Sequence, residues 1–368
     1  MRIGIDGMIW GGEERGVATA TRRLILEFAS VCRAHELVVI VSDPRVHEQF
    51  LTSSNSNVEV VRYGRRTGVQ RILWQQLGLP RLVRKLHLDI LYCPCYTVPM
   101  LTGVRTVVTV HDVIASKRPD VCRAGNRLHL RLLLGPSMRR ASCITVPTNS
   151  VKLDVLAEFA VSDQQVAVVP WGVDMEIAPV EPEQARRFVR GRFGIVEAYA
   201  LFAGCLERKK NLATAVEACR KAGIRLVIVG PRESGQVRLE AAARQWPHEG
   251  VSQLGYVSNT ELSALYSAAR VFVFPSHIEG FGLPVIEAMH CGVPVVTSDA
   301  PAIREVTGGA AMHESASDPV AMARALERVL TDSVLREELS ARGRERAAEF
   351  TWKRAANLFA EVLERAVR

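Results

Sequence analysis

Residues 271–297 read VFVFPSHIEGFGLPVIEAMHCGVPVVT, and they decide the fold class. The apolar runs at the two ends are short and rich in β-branched or aromatic residues, which predicts two strands. Between them, Pro284 stands where a helix would begin and is followed by an apolar run, which predicts a buried helix. A strand, a helix and a strand in this order predict a parallel sheet with a right-handed crossover.

The same alternation of strands and helices runs along the chain in two halves. Strand-like runs in the first half read RIGID, LVVIV, VEVV, DILY, TVVTV and CITV, and those in the second half include ALFAG, RLVIVG, VFVFP and VPVVT. Residues 170–182, between the halves, are rich in Pro and Glu, which is typical of a hinge. We therefore expect an α/β protein with two Rossmann-like, doubly wound parallel-sheet domains, residues 1–178 and 179–350, that face each other across a cleft.

The composition is that of an ordinary folded protein, with 368 residues of which 48% are hydrophobic. No apolar run reaches the roughly 20 residues that are needed to cross a bilayer. The start, MRIGIDGMIW, is typical of a strand and not of a secretory signal. We therefore expect a cytoplasmic protein whose eight scattered cysteines are reduced.

Positive charge is concentrated in residues 62–140, which hold fifteen Lys or Arg and three acids in a chain of net charge +8. Such a one-sided field attracts anionic partners. Inside this stretch, NRLHLRLLLGPSMRR at residues 126–140 alternates basic residues with leucines. That pattern fits a helix on an acidic membrane surface, and equally a helix that packs on its own sheet. Charge alone would also suit a nucleic-acid-binding protein, but no nucleic-acid-binding module is recognised, and we expect no nucleic-acid partner.

Three consecutive cations, Arg208, Lys209 and Lys210, lie between the strand-like run ALFAG and a helical pattern that begins at Leu212. In a strand-to-helix turn they would stand beside the positive end and the unpaired N–H groups of that helix, which predicts a diphosphate site. Two stricter signatures are absent from the sequence, a G-x-x-x-x-G-K and a G-x-G-x-x-G that opens the first helix. Their absence excludes a P-loop enzyme and disfavours a dinucleotide ligand.

A carboxylate lies inside the predicted buried helix. Glu287 is one turn from the helix start, where an unpaired carboxylate would be costly. The vicinal hydroxyls of a ribose would satisfy both of its oxygens. The alternative is a structural salt bridge inside one domain.

The loop before this helix is suited to close contact with a ligand. Gly280 and Gly282 let the backbone approach a bound molecule with its N–H groups, including those of Phe281 and Leu283. A second carboxylate, Glu279, then lies at the rim of the loop, near whatever those amides bind.

These motifs, in this order, resemble the retaining glycosyltransferases of family 4, which share the two-domain GT-B fold, and their mannosyltransferase-like members in particular. The segment from Glu279 to Glu287 matches the E-x7-E motif of that family. The resemblance covers nearly the whole chain. The matching segments include GIDGMIW, WQQLGLPRLVRKLHLDILYCP, TVHDVIASKRPD, VAVVPWGVD, GCLERKKNL and LGYVSNTELSALYSAARVFVFPS.

The resemblance implies a role for each matching residue. Glu287 would hold the ribose, Glu279 and the loop amides the donor sugar, and Lys210 the diphosphate. The implied donor-binding residues are Gly12, Gly16, Arg208, Lys209, Lys210, Tyr256, Val257, Gly280, Phe281, Gly282, Leu283 and Glu287. Tyr256 and Val257 would contact the base. The implied catalytic residues are His111, Lys210 and Glu279, with His111 reaching the transferred sugar from the other domain.

The reaction implied is the transfer of a hexose from GDP-mannose or a UDP-sugar to a hydroxyl of a glycan or lipid-linked acceptor, with retained configuration. None of the eleven Asp residues forms a D-x-D pair, so we expect no metal and no other cofactor. Two GT-B alternatives are an epimerase and a phosphorylase, and the pyridoxal lysine signature of a phosphorylase is not recognised here.

The sequence departs from the family at two positions, and its last residues have a pattern of their own. Cys205 stands where many relatives have an arginine, and Trp171 stands where asparagine is usual. Residues 351–368 combine a capping threonine, Thr351, with one apolar face, which predicts a helix. In the family such a helix crosses back to the N-terminal domain, here the acceptor-side domain.

Overall fold

The computed structural model describes residues 1–10, 16–52, 57–64, 68–117, 124–231 and 250–368. The chain divides into two compact units. Unit 1 comprises Met1–Gly172 and Thr351–Arg368, and unit 2 comprises Val173–Phe350. The expected boundary after residue 178 thus lies six residues beyond this division.

Unit 1 is built on a parallel sheet whose described strands follow the order β3-β2-β1-β4-β5-β6-β7. The strands are β1 (Arg2–Asp6), β2 (Glu36–Val41), β3 (Val58–Arg62), β4 (Ile90–Cys93), β5 (Arg105–Thr109), β6 (Cys143–Val146) and β7 (Val166–Val168). The helices before residue 173 are α1 (Gly16–Val31), α2 (Pro44–Thr52), α3 (Gly68–Leu73), α4 (Leu79–Lys85), α5 (Ile114–Lys117), α6 (Ala124–Arg140) and α7 (Asn149–Glu158).

Helices cover both faces of this sheet, which explains why its strands read as continuous apolar runs. In β2, Leu37 and Val39 belong to one hydrophobic cluster, whereas Val38 and Ile40 belong to a second. Successive side chains of a strand point to opposite faces, so the two clusters are the two sides of the sheet. Leu134 and Met138 of α6 are buried in the second cluster. From residue 134 onward this helix therefore packs on its own sheet, which was one of the two expectations for residues 126–140.

Unit 2 is built on a parallel sheet whose described strands follow the order β10-β9-β8-β11-β12-β13. The strands are β8 (Tyr199–Ala203), β9 (Arg225–Val229), β10 (Val251–Gly255), β11 (Val271–Phe274), β12 (Val295–Ser298) and β13 (Met312–Glu314). The helices are α8 (Pro182–Phe193), α9 (Leu212–Lys221), α10 (Asn259–Ala268), α11 (Leu283–His290), α12 (Pro301–Thr307), α13 (Pro319–Thr331) and α14 (Ser333–Ala348). The predicted pair of parallel-sheet domains is confirmed.

The last helix, α15 (Trp352–Val367), belongs to unit 1. The Thr351 side chain caps it by accepting a hydrogen bond from the N–H of Arg354 at 3.2 Å. Phe359 packs edge-on against Phe28 of α1 and Tyr92 of β4, with ring centroids 5.2 and 4.6 Å apart. The helix is thus part of the core of unit 1.

Both sheets contain a point where the strand order reverses, and in open α/β sheets ligands bind beyond the carboxyl ends of the strands at that point. In unit 1 the reversal lies between β1 and β4, and in unit 2 between β8 and β11. None of the helices in the described ranges combines the length and the apolar character that a membrane span requires. No disulfide joins the cysteines within those ranges.

Candidate functional site

The loops that follow β8 and β11 in unit 2 are held together by hydrogen bonds to backbone carbonyls. Residues Arg208–Lys210 form one turn of 3-10 helix after β8. The N–H of His277, after β11, donates to the carbonyl of Lys209 at 2.9 Å. Asn211, in the left-handed conformation with φ of 52°, donates its side-chain amide to the carbonyl of Pro275 at 3.1 Å. The predicted basic turn therefore lies at the reversal point of the sheet.

A buried ion pair joins the two loops. Lys210 Nζ lies 2.7 Å from Glu279 Oε1, and their side chains are only 11% and 7% exposed. The ammonium group also lies 4.7 Å from the centroid of the Phe274 ring, a cation–π distance. The sequence assigned Lys210 and Glu279 separate roles, and the structure shows them in direct contact.

The protonation of Glu279 follows from its surroundings. Burial on its own would raise the pKa of this carboxyl, but the charges of Lys210 and Lys209 and the hydrogen bond from Lys210 outweigh it, so the pKa is lowered. Glu279 is therefore an anion in the resting protein. Glu279 thus forms a salt bridge inside unit 2, the kind of partner that the sequence left open as the alternative for Glu287.

Helix α11 follows a glycine, Gly282, whose backbone conformation is unfavourable for a residue with a side chain. Gly282 has φ of +101°, and a Cβ there would lie 2.5 Å from Ile303 Cδ1. Gly282 stands at the N-cap position and makes no side-chain hydrogen bond to the first turn of the helix. The side chain of Phe281 is buried edge-on against Phe350, with centroids 5.5 Å apart. The loop is thus anchored by Phe281 and turned by Gly282.

Glu287 has a hydroxyl as its partner instead of a cation. The phenol of Tyr266 in α10 donates to Glu287 Oε2 at 3.1 Å and also reaches the carbonyl of Pro284 at 3.2 Å. Within the described part of the chain, no Lys or Arg forms an ion pair with Glu287. The pKa of Glu287 is raised to about 7, mainly by burial and to a smaller extent by the Asp174 carboxylate, while the Tyr266 hydrogen bond opposes the rise. The salt-bridge alternative is therefore wrong for Glu287.

Two glycines after neighbouring strands of unit 2 allow a close backbone contact that the sequence motifs did not single out. Gly204 follows β8 and Gly230 follows β9, with φ of 142° and 138°. A Cβ on Gly230 would lie 2.0 Å from the carbonyl oxygen of Gly204. The signal was a glycine directly after each strand-like run.

The other donor-side residues are placed as follows. Tyr256 and Val257 come directly after β10; the tyrosine is 70% exposed and the valine is buried. Arg208 is exposed, and Lys209 Nζ lies 3.5 Å from Glu207 Oε2. The predicted contacts of these residues with a base and a diphosphate stay predictions.

The remaining predicted residues belong to unit 1. His111 is buried after β5, and its Nε2 lies 2.7 Å from the carbonyl oxygen of Pro94. Gly16 is the first residue of α1, and a Cβ there would meet nothing within 4 Å. Gly12 lies outside the described residues. The predicted contacts of His111 and Gly16 with a sugar or a phosphate stay predictions.

Among the residues that the structure describes, no group of three or more His, Cys, Asp or Glu side chains is arranged to hold a metal ion. The expected independence from a metal stays a prediction.

Both halves of the chain match the models of known protein families. The family model "Glycosyltransferase Family 4" matches residues 15–177, and "Glycosyl transferases group 1" matches residues 189–346. The D-inositol 3-phosphate glycosyltransferase of Kineococcus radiotolerans is 30% identical over 299 residues, covering 74% of this chain and 67% of the relative. The chain belongs to glycosyltransferase family 4. The predicted family and its enzyme class, a hexosyltransferase, are confirmed.

Other similarities agree with this assignment of the glycosyltransferase. The O-antigen chain mannosyltransferase B of Escherichia coli is 28% identical over 256 residues, covering 68% of this chain and 67% of the relative. This glycosyltransferase thus spans about two thirds of the length of both relatives. The crystal structure of HepE from Anabaena, in complex with UDP and glucose, superposes with a TM-score of 0.75 at 18% identity and covers 99% of both chains. The predicted GT-B fold is confirmed.

Proposed function

We propose that this glycosyltransferase moves a hexose from a nucleotide-sugar donor to a hydroxyl of a glycan or lipid-linked acceptor during glycoconjugate or cell-envelope polysaccharide synthesis. The observation that carries the proposal is the buried Lys210–Glu279 pair at the reversal point of unit 2. An uncapped helix start follows it, and Glu287 lies one turn further on. Cation, helix terminus and carboxylate are the groups that a diphosphate and a ribose require.

The diphosphate is the part of the donor that needs most stabilisation. When the bond from the anomeric carbon to the leaving oxygen breaks, negative charge grows on the phosphate oxygens. Lys210, Lys209 and Arg208 supply fixed positive charge for these oxygens, together with the positive end of α11. Removing one such preorganised group typically lowers the rate by about a hundredfold to a thousandfold.

Glu279 has a second task in this proposal. Its oxygen Oε1 accepts a hydrogen bond from Lys210 Nζ, and its other oxygen accepts a hydrogen bond from a hydroxyl of the donor sugar. The same carboxylate thereby orients the lysine and the sugar. Since Glu279 is an anion, it accepts this hydrogen bond and does not donate it.

Glu287 accepts hydrogen bonds from the two ribose hydroxyls. Tyr266 takes one lone pair of Oε2 and fixes the carboxylate plane, and the remaining lone pairs serve the diol. Tyr256 and Val257 contact the base. The two carboxylates have different partners, Lys210 and Tyr266, and do not act as the acid–base pair of a glycoside hydrolase.

GDP-mannose is the first donor to test, because O-antigen chain mannosyltransferase B is among the similar proteins. UDP-sugars come second, because HepE was solved with UDP and glucose. Transfer occurs with retained configuration, by front-face attack in which the leaving phosphate accepts the proton of the acceptor hydroxyl. It needs no metal, because lysine and helix charges replace it at the phosphates.

The test is a thermal-shift titration of the full chain with GDP, UDP, ADP and their sugar conjugates. A ligand at a hundred times its Kd adds about 2.7 kcal/mol of apparent stability, and we expect GDP or UDP to do so with EDTA present. Lys210→Met should abolish the response, whereas Lys221→Met, which removes an exposed lysine of α9, should not. No response to any nucleotide, or an equal response in both variants, would contradict the proposal.

Product analysis decides the reaction type. The expected product is a glycosylated acceptor with the anomeric configuration of the donor. A nucleotide sugar that is only isomerised would instead indicate an epimerase.

We also propose that unit 1 contacts an acidic membrane surface. Val69, Leu73 and Leu77 are spaced four residues apart along α3 and the π-helical turn after it, and all three are exposed. Exposed Arg81 and Arg84 follow in α4. Exposed apolar side chains next to cations suit the headgroup region of anionic lipids. The predicted cytoplasmic location would then be the inner face of the cell membrane.

Liposome sedimentation tests this contact. The parent chain should pellet with vesicles of anionic lipid at low salt, and Leu73→Ser combined with Leu77→Ser should stay in the supernatant. Leu153→Ser removes an equally exposed leucine from α7 of the same unit and should pellet like the parent. A parent chain that the vesicles fail to retain would end this part of the proposal.

A further inference from the structure

His111 is confined on three sides by groups of unit 1. Its Nε2 lies 2.7 Å from the carbonyl oxygen of Pro94. The ring of Tyr96 packs edge-on against the imidazole, with centroids 5.4 Å apart and an interplanar angle of 85°. The ring of Trp171 lies 5.5 Å from it at 53°. Pro94, Tyr96 and Trp171, called here the His111 box, come from two distant parts of the chain.

The carbonyl of Pro94 determines the tautomer of His111. A carbonyl oxygen only accepts hydrogen bonds, so Nε2 must carry the proton. In the neutral imidazole, Nδ1 is then the nitrogen that accepts. If the ring turned over about Cβ–Cγ, Cε1 would take the place of Nε2 opposite Pro94, this hydrogen bond would be lost, and Nδ1 would move to the opposite edge of the ring.

Tyr96 has an unfavourable backbone conformation in the His111 box. Its φ is +60°, in the left-handed region that a bulky side chain rarely adopts. The conformation is held by hydrogen bonds of the backbone: Tyr96 N–H donates to Thr109 O at 2.9 Å, and Thr97 N–H donates to Cys95 O at 2.7 Å. Strained residues of this kind cluster at functional sites. The strain here places an aromatic ring against the imidazole.

Trp171 closes another side of the box from the end of the first segment of unit 1. It is buried and directly precedes Gly172, the last residue of that segment. A Cβ on Gly172 would lie 2.3 Å from the backbone nitrogen of Trp352. This close backbone contact fixes where the chain leaves Trp171. A smaller residue at position 171 would leave space for the imidazole to turn.

We propose that Tyr96 and Trp171 are positioning residues that keep His111 in the Nε2–H tautomer, with Nδ1 as the acceptor for a hydroxyl of the transferred sugar. The inference rests on the proposed function for the identity of that hydroxyl. The positioning itself depends only on the contacts of the His111 box. An acceptor in a wrong orientation loses its hydrogen bond to the sugar, and misplacement by about 1 Å can lower a rate about a hundredfold.

The experiment compares ring tautomer and turnover in four variants of the full chain. Long-range nitrogen–proton NMR on histidine-labelled protein reports the His111 tautomer, with the His111→Gln spectrum as its assignment. We expect one tautomer, Nε2–H, in the parent chain and a mixture in Tyr96→Gly and Trp171→Ala. Trp171→Phe, which keeps an aromatic ring, should restore most of the parent tautomer. Tyr63→Ala should leave the tautomer unchanged, because it removes another half-buried tyrosine whose ring lies against Trp74.

Turnover is measured on the same samples. In Tyr96→Gly and Trp171→Ala we expect kcat to fall about tenfold to a hundredfold, with the nucleotide Kd unchanged. A single Nε2–H tautomer in Tyr96→Gly would overturn the proposal, even if its kcat fell. Should Trp171→Ala fail to fold, Tyr96→Gly decides alone, because glycine accepts the φ of +60°. Absence of transfer from every nucleotide sugar would refute the proposed function, and the tautomer populations would then decide the positioning role by themselves.

Discussion

Replacing Lys210 with methionine tests the buried ion pair in unit 2. The variant keeps most of the side-chain volume but leaves Glu279 buried without its cation. Breaking a buried pair by removing one partner costs about 3 to 5 kcal/mol, and both side chains here are nearly inaccessible, 11% and 7% exposed. For a domain of this size each kcal/mol lowers the melting temperature by about 2 to 4 °C. We therefore expect unit 2 to melt about 6 to 20 °C below the parent.

The double variant Lys210→Met with Glu279→Gln separates the structural from the catalytic role. It contains no unpaired charge, so most of the lost stability should return. Activity should not return, because the cation at the phosphate is still missing and costs about a hundredfold to a thousandfold in rate. A pair that serves only the fold would recover both quantities together. Differential scanning calorimetry and initial transfer rates supply the two measurements.

The pH dependence of these variants has a definite sign. In the parent, the lowered pKa of Glu279 means that the ionised carboxylate stabilises the fold when the pH is above the usual carboxyl range. This stabilisation is lost as the pH falls through the pKa of Glu279 in the folded protein. In Lys210→Met, burial is no longer opposed by Lys210, so the stability should rise on mild acidification as Glu279 takes up a proton. A Lys210→Met chain within about 0.5 kcal/mol of the parent, the range of an ordinary surface change, would refute the reasoning.

Three further predictions concern Glu287, the start of α11 and the last helix. The pKa of Glu287 is raised to about 7, so the stability of the parent should fall as the pH rises through 7. Glu287→Gln should flatten this dependence in calorimetry. Nucleotide binding needs the Glu287 anion, so it should strengthen with rising pH in the parent and not in Glu287→Gln. Gly282→Ala should cost about 1 to 3 kcal/mol in denaturant titrations because of its φ of +101°, whereas Gly191→Ala, inside α8 with open space around it, should be neutral or stabilising. Phe359→Ala should cost about 3 to 5 kcal/mol, and a loss below 1 kcal/mol would show that α15 is not part of the core.

Local sequence signals were sufficient for most of the fold. The strands were readable because residues buried on both faces form continuous apolar runs. Helix starts were readable where the cap is a neighbour in sequence: the carboxylate of Asp318 accepts from Val320 N–H and Ala321 N–H at 3.0 and 2.9 Å. Thr351 caps α15 in the same way. Each capping side chain lies two or three positions before the N–H groups that it caps.

The partners of the site residues were not readable, because they depend on strand order. Lys210 and Glu279 are 69 positions apart, and they meet because β8 and β11 are neighbours in the sheet. Tyr266 lies in an apolar helix 21 positions before Glu287, and its only signal was a phenol that needs a partner when buried. The sequence showed that Glu287 requires a hydrogen-bond partner, and only the structure identifies Tyr266 as that partner.

A crystal structure of the chain with GDP or UDP bound would show directly whether unit 2 holds the donor as proposed. We predict a diphosphate oxygen within hydrogen-bond distance of Lys210 Nζ and both ribose hydroxyls on the Glu287 carboxylate. A nucleotide bound elsewhere, with Lys210 still engaged only by Glu279 and Glu287 only by Tyr266, would contradict the proposed donor site.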